Sequence, residues 1–191
     1  MTQETIAQLA AGAPAPRFET EDAFGGSIDL AAYQGKTLLL SFFRNAACAL
    51  CNLRVHQLIQ KYPEYHSRGL EILAVFESPR ENILQYVGKQ DAPFPIVADP
   101  QGQLYQLYGL EISQSKVEAS AELPQVQQHV REANELGWQL TPEPGSNFFR
   151  LPADFLIGPD GAIQRAYYAA YVGDHLPLAE IEQALGASPG R

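Results

Sequence analysis

Unbroken apolar runs alternate with helical periodicity along this chain, and the alternation predicts an architecture. "TLLLSFF" (37–43) and "LEILAVF" (70–76) are apolar stretches that each follow a glycine, Gly35 and Gly69. Runs of that length fit strands buried on both faces, as central or parallel strands are. Between them Cys51, Val55, Leu58, Ile59 and Tyr62 recur at i, i+4, i+7, i+8 and i+11, one face of a 3.6-residue period. Pro63 lies near the end of that helix or kinks it. Ser78-Pro79 opens another helix, through Tyr86. "APFPIVADPQGQLYQLYG" reads as a short strand, a turn at Asp99-Pro100 and a helix ending at Gly109. Strand, helix, strand, helix in this rhythm predicts a parallel α/β layer.

The flanking segments add hairpins and an interruption. "RFETEDAFGGSIDLAAYQGK" gives two short extended pieces around a turn at Gly25-Gly26. "ADFLIGPDGAIQRAYYA" is a hairpin turning at Asp160-Gly161. Pro177 starts a last helix whose Leu178, Ile181 and Leu185 face the core. Residues 111–147 break the rhythm: they are polar and helix-prone to Leu136, then loop-like through "TPEPGSN". They read as an inserted helix and loop. Residues 1–13 form an Ala- and Pro-rich arm with a short helix over Thr2–Ala10, and residues 14–191 form one domain carrying the insertion.

Composition narrows the classes of function. Apolar residues make up 46% and charged residues 18%, as in an ordinary globular domain. A formal net charge of −9 repels phosphate backbones and anionic lipids, which argues against nucleic-acid and membrane partners. No apolar run approaches the roughly 20 residues of a membrane helix. The start "MTQETIAQLAAGAPAP" lacks the basic and apolar regions of a signal peptide, so a cytoplasmic location is expected, where disulfides are transient and catalytic. "AGAPAP" and Gly25-Gly26 lack the Gly-Lys-Ser/Thr of a phosphate loop.

Both cysteines stand in "RNAACALC", Cys48 and Cys51, directly after the first apolar run. A structural zinc site takes four ligands, and His56, His66, His129 and His175 match no finger spacing, so no metal is expected. The pair sits where a strand ends and a helix begins. There the unpaired N–H groups and the helix dipole favour a thiolate, the reactive form of cysteine. Thiols three positions apart meet across the first helical turn, so one can attack and the other displace the product as a disulfide. Cys48 lies on the loop side, whereas Cys51 begins the apolar stripe, which favours Cys48 as nucleophile. Arg44 and Arg54 are cations that can support a thiolate or simply solvate the surface.

"IDLAAYQGKTLLLSFFRNAACALCNLRVHQL" resembles the opening of the peroxiredoxins of the AhpC/TSA superfamily, in the branch with Cys-x-x-Cys after a Phe-Arg pair. The likeness continues through "LEILAVFE", "FPIVADPQGQLYQLYGL" and "LPADFLIGPDGAI". It implies an α/β, thioredoxin-like (peroxiredoxin-type) three-layer fold, a central mixed β-sheet with helices on both faces. It also implies a cis Leu151–Pro152 bond, with Pro152 facing the cysteines, and places Arg150 near the family's peroxide-polarising arginine. "YVGDHLPL" is similar to the stretch before the last helix of thioredoxins, which puts His175 at the rim of the site and lets Asp174 cap that helix. Where the family has Pro-x-x-x-Thr-x-x-Cys, this chain has Arg44-x-x-x-Cys48-x-x-Cys51, so that register makes Cys51 peroxidatic while the thioredoxin register makes Cys48 the attacking thiol.

The expected function is thiol-disulfide redox chemistry: reduction of hydrogen peroxide or alkyl hydroperoxides, with an external dithiol donor such as thioredoxin and no cofactor. A disulfide reductase using the same cysteines is the rival enzyme. A redox-responsive interaction protein, its disulfide altering the surface around 111–147, is the rival from another class. A monomer or a homodimer fits either.

Overall fold

The computed structural model describes residues 7–186. The chain first turns back on itself, β1 (Glu19–Glu21) pairing antiparallel with β2 (Ser27–Asp29). Asp22 Oδ1 accepts the N–H groups of Phe24 and Gly26, each at 2.8 Å, and Gly25 supplies the turn's φ of 93°. The expected rhythm follows as β3 (Thr37–Phe43), α1 (Ala49–Ser67), β4 (Leu70–Phe76), α2 (Arg80–Gln85), β5 (Ile96–Ala98) and α3 (Gln103–Leu107). Asp99 starts α3, its carboxylate accepting the N–H groups of Gln103 and Leu104 at 3.0 and 2.7 Å. Two further helices, α4 (Gln114–Ser120) and α5 (Pro124–Glu135), precede the hairpin of β6 (Ala153–Ile157) and β7 (Ile163–Tyr168), and α6 (Leu178–Gly186) comes last.

The main sheet has the order β5-β4-β3-β6-β7. β3, β4 and β5 are parallel, and β6 and β7 join antiparallel, so the sheet is mixed. Side chains of β3 alternate between its two faces. Leu39 and Phe43 pack with Val55 and Leu58 of α1 and Ile181 and Leu185 of α6. Leu38, Leu40 and Phe42 pack with Phe18, Phe155 and Tyr105 of α3. The result is three layers with helices on both faces, which is a thioredoxin fold.

Several details differ from the sequence reading. The helix expected up to Leu136 is two helices, because Pro124 disfavours helical geometry at Leu123 and takes the first position of α5. Pro63 lies inside α1, which continues to Ser67. The helix expected over Thr2–Ala10 falls largely outside the described residues, and residues 7–10 are not helical. The arm pairs along β7 instead: Gly12 N–H donates to Ile163 O and Ile163 N–H to Ala13 O, both at 2.8 Å. The Leu151–Pro152 bond is trans, as is every peptide bond among the described residues. Leu151 N–H donates to Glu111 O, and Arg150 bridges to Ile112, so the chain reaches β6 already extended and needs no isomer change.

Candidate active site

The loop from Arg44 to Cys48 joins the end of β3 to the start of α1, and its polar groups are held from several directions. Ala46 N–H donates to Ser78 Oγ at 2.9 Å, and Ala47 N–H donates to Glu143 Oε2 at 3.1 Å. Asn52 Nδ2 reaches back from the first turn of α1 to the carbonyls of Ala46 and Cys48, at 2.8 and 3.0 Å. Cys48 is the N-cap residue of α1, and its Sγ accepts the Cys51 N–H at 3.4 Å. The thiol thus takes the position that a serine or aspartate oxygen usually fills.

This geometry separates the two thiols chemically. A hydrogen bond from the Cys51 thiol is the largest influence drawing Cys48 down, to about 6. The Arg44 charge and the N–H groups of Cys51 and Leu50 add to it against the opposing effect of burial. Cys51 is pushed well up, by burial first and then by its hydrogen bond to Cys48 and the Cys48 charge. At neutral pH the geometry therefore favours the thiolate at Cys48 and the thiol at Cys51. Both sulfurs are free and buried, Cys48 6% and Cys51 2% exposed.

The arginines divide as the sequence could not decide. Arg44 is buried beside the thiols, its Nε donating to Arg150 O at 3.1 Å, its Nη2 to Phe148 O, and its guanidinium 5.2 Å from the Phe148 ring centroid. Arg54 is neither at the surface nor among the charges that draw Cys48 down. It is buried, its Nη2 donating to Leu176 O at 2.6 Å, and burial lowers its pKa against the opposing charge of Asp154. Arg150 is held by Glu77 through Nε and Nη2, at 2.8 and 2.9 Å, and donates through Nη1 to Leu110 O. Its guanidinium lies 4.9 Å from the Tyr105 ring centroid. Engaged in this way, Arg150 does not border the cavity at Cys48, and neither does the buried Pro152.

His175, expected at the rim of the site, is buried. Its Nδ1 bonds Asp154 Oδ2 at 3.0 Å, its ring lies 5.0 Å from that of Phe43, and its Nε2 is enclosed without a partner. Asp154 also accepts from Ser41 Oγ and from Leu176 N–H. Burial alone would raise the Asp154 carboxyl. The charge and hydrogen bond of His175, helped by Arg54 and Ser41, outweigh burial and hold it below the usual carboxylate range. Asp174 does not cap α6, because its carboxylate is taken by Tyr167 Oη and Ala170 N–H, at 2.7 and 2.8 Å. Pro177 O accepts from Glu180 and Ile181 at that helix start.

Sequence reasoning missed Glu143, Asp154 and Glu77. For Asp154 a signal was present, since an acid inside the apolar run "ADFLI" needs a buried partner. Nothing local marked Glu143, which acts on a loop 96 positions away.

Cys48 and Arg44 border a cavity of about 610 Å3, with most of its other walls supplied by residues between 117 and 143. His175, Arg54 and Asp174 border a smaller cavity of about 260 Å3, and Leu50 lies between the two, lining both.

A family model described as the AhpC/TSA family matches residues 11–166. The thiol-disulfide oxidoreductase ResA of Geobacillus thermodenitrificans is 34% identical over 103 residues, 53% of this chain and 59% of that protein. The selenocysteine-containing peroxiredoxin PrxU of Peptoclostridium acidaminophilum is 28% identical over 120 residues, 58% of this chain and 59% of that protein. The chain thus spans less than two thirds of the length of either relative. Peroxidoxin BcpB from Mycobacterium tuberculosis shares the fold, with a TM-score of 0.63 at 15% identity over 92% of this chain and 94% of that one.

Proposed function

Because the chain belongs to the AhpC/TSA family, we propose that it is a thiol-dependent oxidoreductase and, within that class, a peroxiredoxin-like peroxidase. The observation that supports thiol redox chemistry is the placement of Cys48 as the N-cap of α1, its Sγ accepting the Cys51 N–H, with Cys48 drawn down and Cys51 behind it pushed up. The Cys48 thiolate attacks the terminal oxygen of a hydroperoxide. An S–O bond forms, the O–O bond breaks, and the departing oxygen takes a proton from water to leave as alcohol or water. Cys51 then attacks the Cys48 sulfur, forming the S–S bond, and the sulfenic oxygen leaves as water with the Cys51 proton. The two electrons given to the peroxide come from the thiol pair, and an external dithiol donor returns them. Arg44 stands beside the sulfur where negative charge shifts during attack.

Disulfide reduction is the second reading, favoured by the likeness to ResA and by Arg44 and Cys48 standing where peroxiredoxins keep proline and threonine. Peroxide consumption with dithiothreitol or thioredoxin as donor, run beside insulin reduction, separates the two. Peroxide turnover with an oxidised form that loses two titratable thiols and stays monomeric on a non-reducing gel is the expected result. Insulin reduction without peroxide turnover selects the reductase. A sulfenic-acid trap should label Cys48 in a Cys51→Ser protein and leave Cys51 unlabelled in a Cys48→Ser protein; the reverse pattern assigns the attack to Cys51.

A further inference from the structure

The cavity of about 260 Å3 lies across Leu50 from Cys48 and is bordered by a cation that the redox chemistry does not use. Leu50 and Leu53 give it an apolar side, while Arg54, His129, Tyr171 and His175 bring polar groups to it. Arg54 is only 7% exposed, yet no salt bridge holds it among the described residues. Leu176 O accepts one of its N–H groups, at 2.6 Å, and its Nε is enclosed without a partner. The nearby acids are already occupied. Asp154 serves Ser41, His175 and Leu176, and Asp174 serves Tyr167 and Ala170. His175 Nε2, on the same cavity, is likewise enclosed without a partner. A buried charge is normally paired, because leaving water costs it more than a carbonyl returns. Burial accordingly lowers the Arg54 pKa, and the charges of Asp154, Tyr65 and Tyr167 do not offset it.

We infer that this cavity is a binding site for a small carboxylate, held by Arg54 between α1 and the approach to α6. The ligand supplies the acceptors that the protein withholds from Arg54, and its short apolar tail lies against Leu50 and Leu53. A volume just under the roughly 300–1,000 Å3 of drug-sized sites suits a ligand of a few carbon atoms. The planar guanidinium matches the two oxygens of a carboxylate, which a spherical anion such as chloride does not offer. The site does not depend on the peroxidase reading. Arg54 is not among the main influences on either thiol, so an occupied site leaves Cys48 as acidic as before.

The test is calorimetric titration of the full chain at neutral pH with propionate, and with propionamide as its uncharged counterpart. Propionate should bind one per chain and raise the thermal midpoint by about 3–5 °C at ten times its Kd. Propionamide and chloride at equal concentration should do neither. Arg54→Met should abolish the binding, but it also strips Leu176 O of its donor. Gln57→Glu is therefore the second variant. Gln57 is half-buried, lines the cavity and lies one turn along α1 from Arg54, so a carboxylate there takes the ligand's place. This variant should fold and no longer respond to propionate. Alkylation of Cys48 by iodoacetamide locates the ligand, because Arg44 is the other buried cation that borders a cavity. Propionate at Arg54 should leave the alkylation rate and its pH midpoint unchanged. Absence of propionate binding, equal binding of propionamide, or binding retained in Gln57→Glu overturns the site. Slowed alkylation of Cys48 overturns it too, by putting the anion at Arg44. Peroxide turnover, present or absent, moves none of these readouts.

Discussion

A sulfur at a helix N-cap accepts the same N–H groups that a serine or aspartate oxygen would take, and as an anion it accepts them better. Cys48 owes its acidity first to the hydrogen bond from the Cys51 thiol and then to Arg44 and these N–H groups, which makes a prediction at the level of single residues. The rate of Cys48 alkylation should follow a titration with its midpoint at about 6, reactive above and protonated below. Cys51→Ala removes the largest influence lowering Cys48 and should move the midpoint up, whereas Cys51→Ser keeps a donor and should move it less. An unchanged midpoint in Cys51→Ala would show that the helix start and Arg44 suffice alone. The cysteine spacing and its place before a helix were legible in the sequence. Which arginine serves the thiolate was not: Arg44 and Arg54 look alike on paper, and only the packing of the 148–150 segment against the loop separates them.

Among the elements, one carboxylate ties the inserted segment to the cysteine loop. Glu143 is buried, accepting Ala47 N–H with one oxygen and Asn82 Nδ2 with the other, so it ties the insertion to the cysteine loop and to α2. Glu143→Ala would leave the Ala47 N–H buried without an acceptor, at a cost of about 1–3 kcal/mol. Chemical denaturation should show that loss, and amide exchange at residues 45–48 should quicken. A variant as stable as the wild type, with unaltered exchange, would mean water replaces the carboxylate at no cost. The strands and α1 were legible because their periodicity is a local property of the chain. The insertion was legible only as an interruption: Val126, Val130 and Ala133 of α5 do recur at helical spacing, but what they face lies far away in sequence.

At the scale of the whole molecule, Asp154 joins β6 to β3 through Ser41 and to the approach of α6 through His175 and Leu176. Its carboxyl is held below the usual range, so its stabilising contribution is complete above the unfolded value near 3.9 and is lost as pH falls through the lower folded value. The urea midpoint should therefore fall as pH drops below about 4. Asp154→Asn should flatten that fall and cost about 3–5 kcal/mol at neutral pH, as removal of one member of a buried pair does. An Asp154→Asn protein with the wild-type acid profile would place the acid sensitivity elsewhere.

The sequence by itself determined the layers of the fold and the place of its chemistry. Apolar runs such as 37–43, short and bounded by turn residues, fit interior strands, and two cysteines after such a run at helical spacing meet across one helical turn. The tertiary structure alone decided what surrounds them. The cation at the thiolate, the acid that holds His175 and the apolar side chains beside Cys48 all arise from contacts between segments far apart in the chain. Such contacts depend on how close packing brings faces together, and no local pattern of residues encodes that.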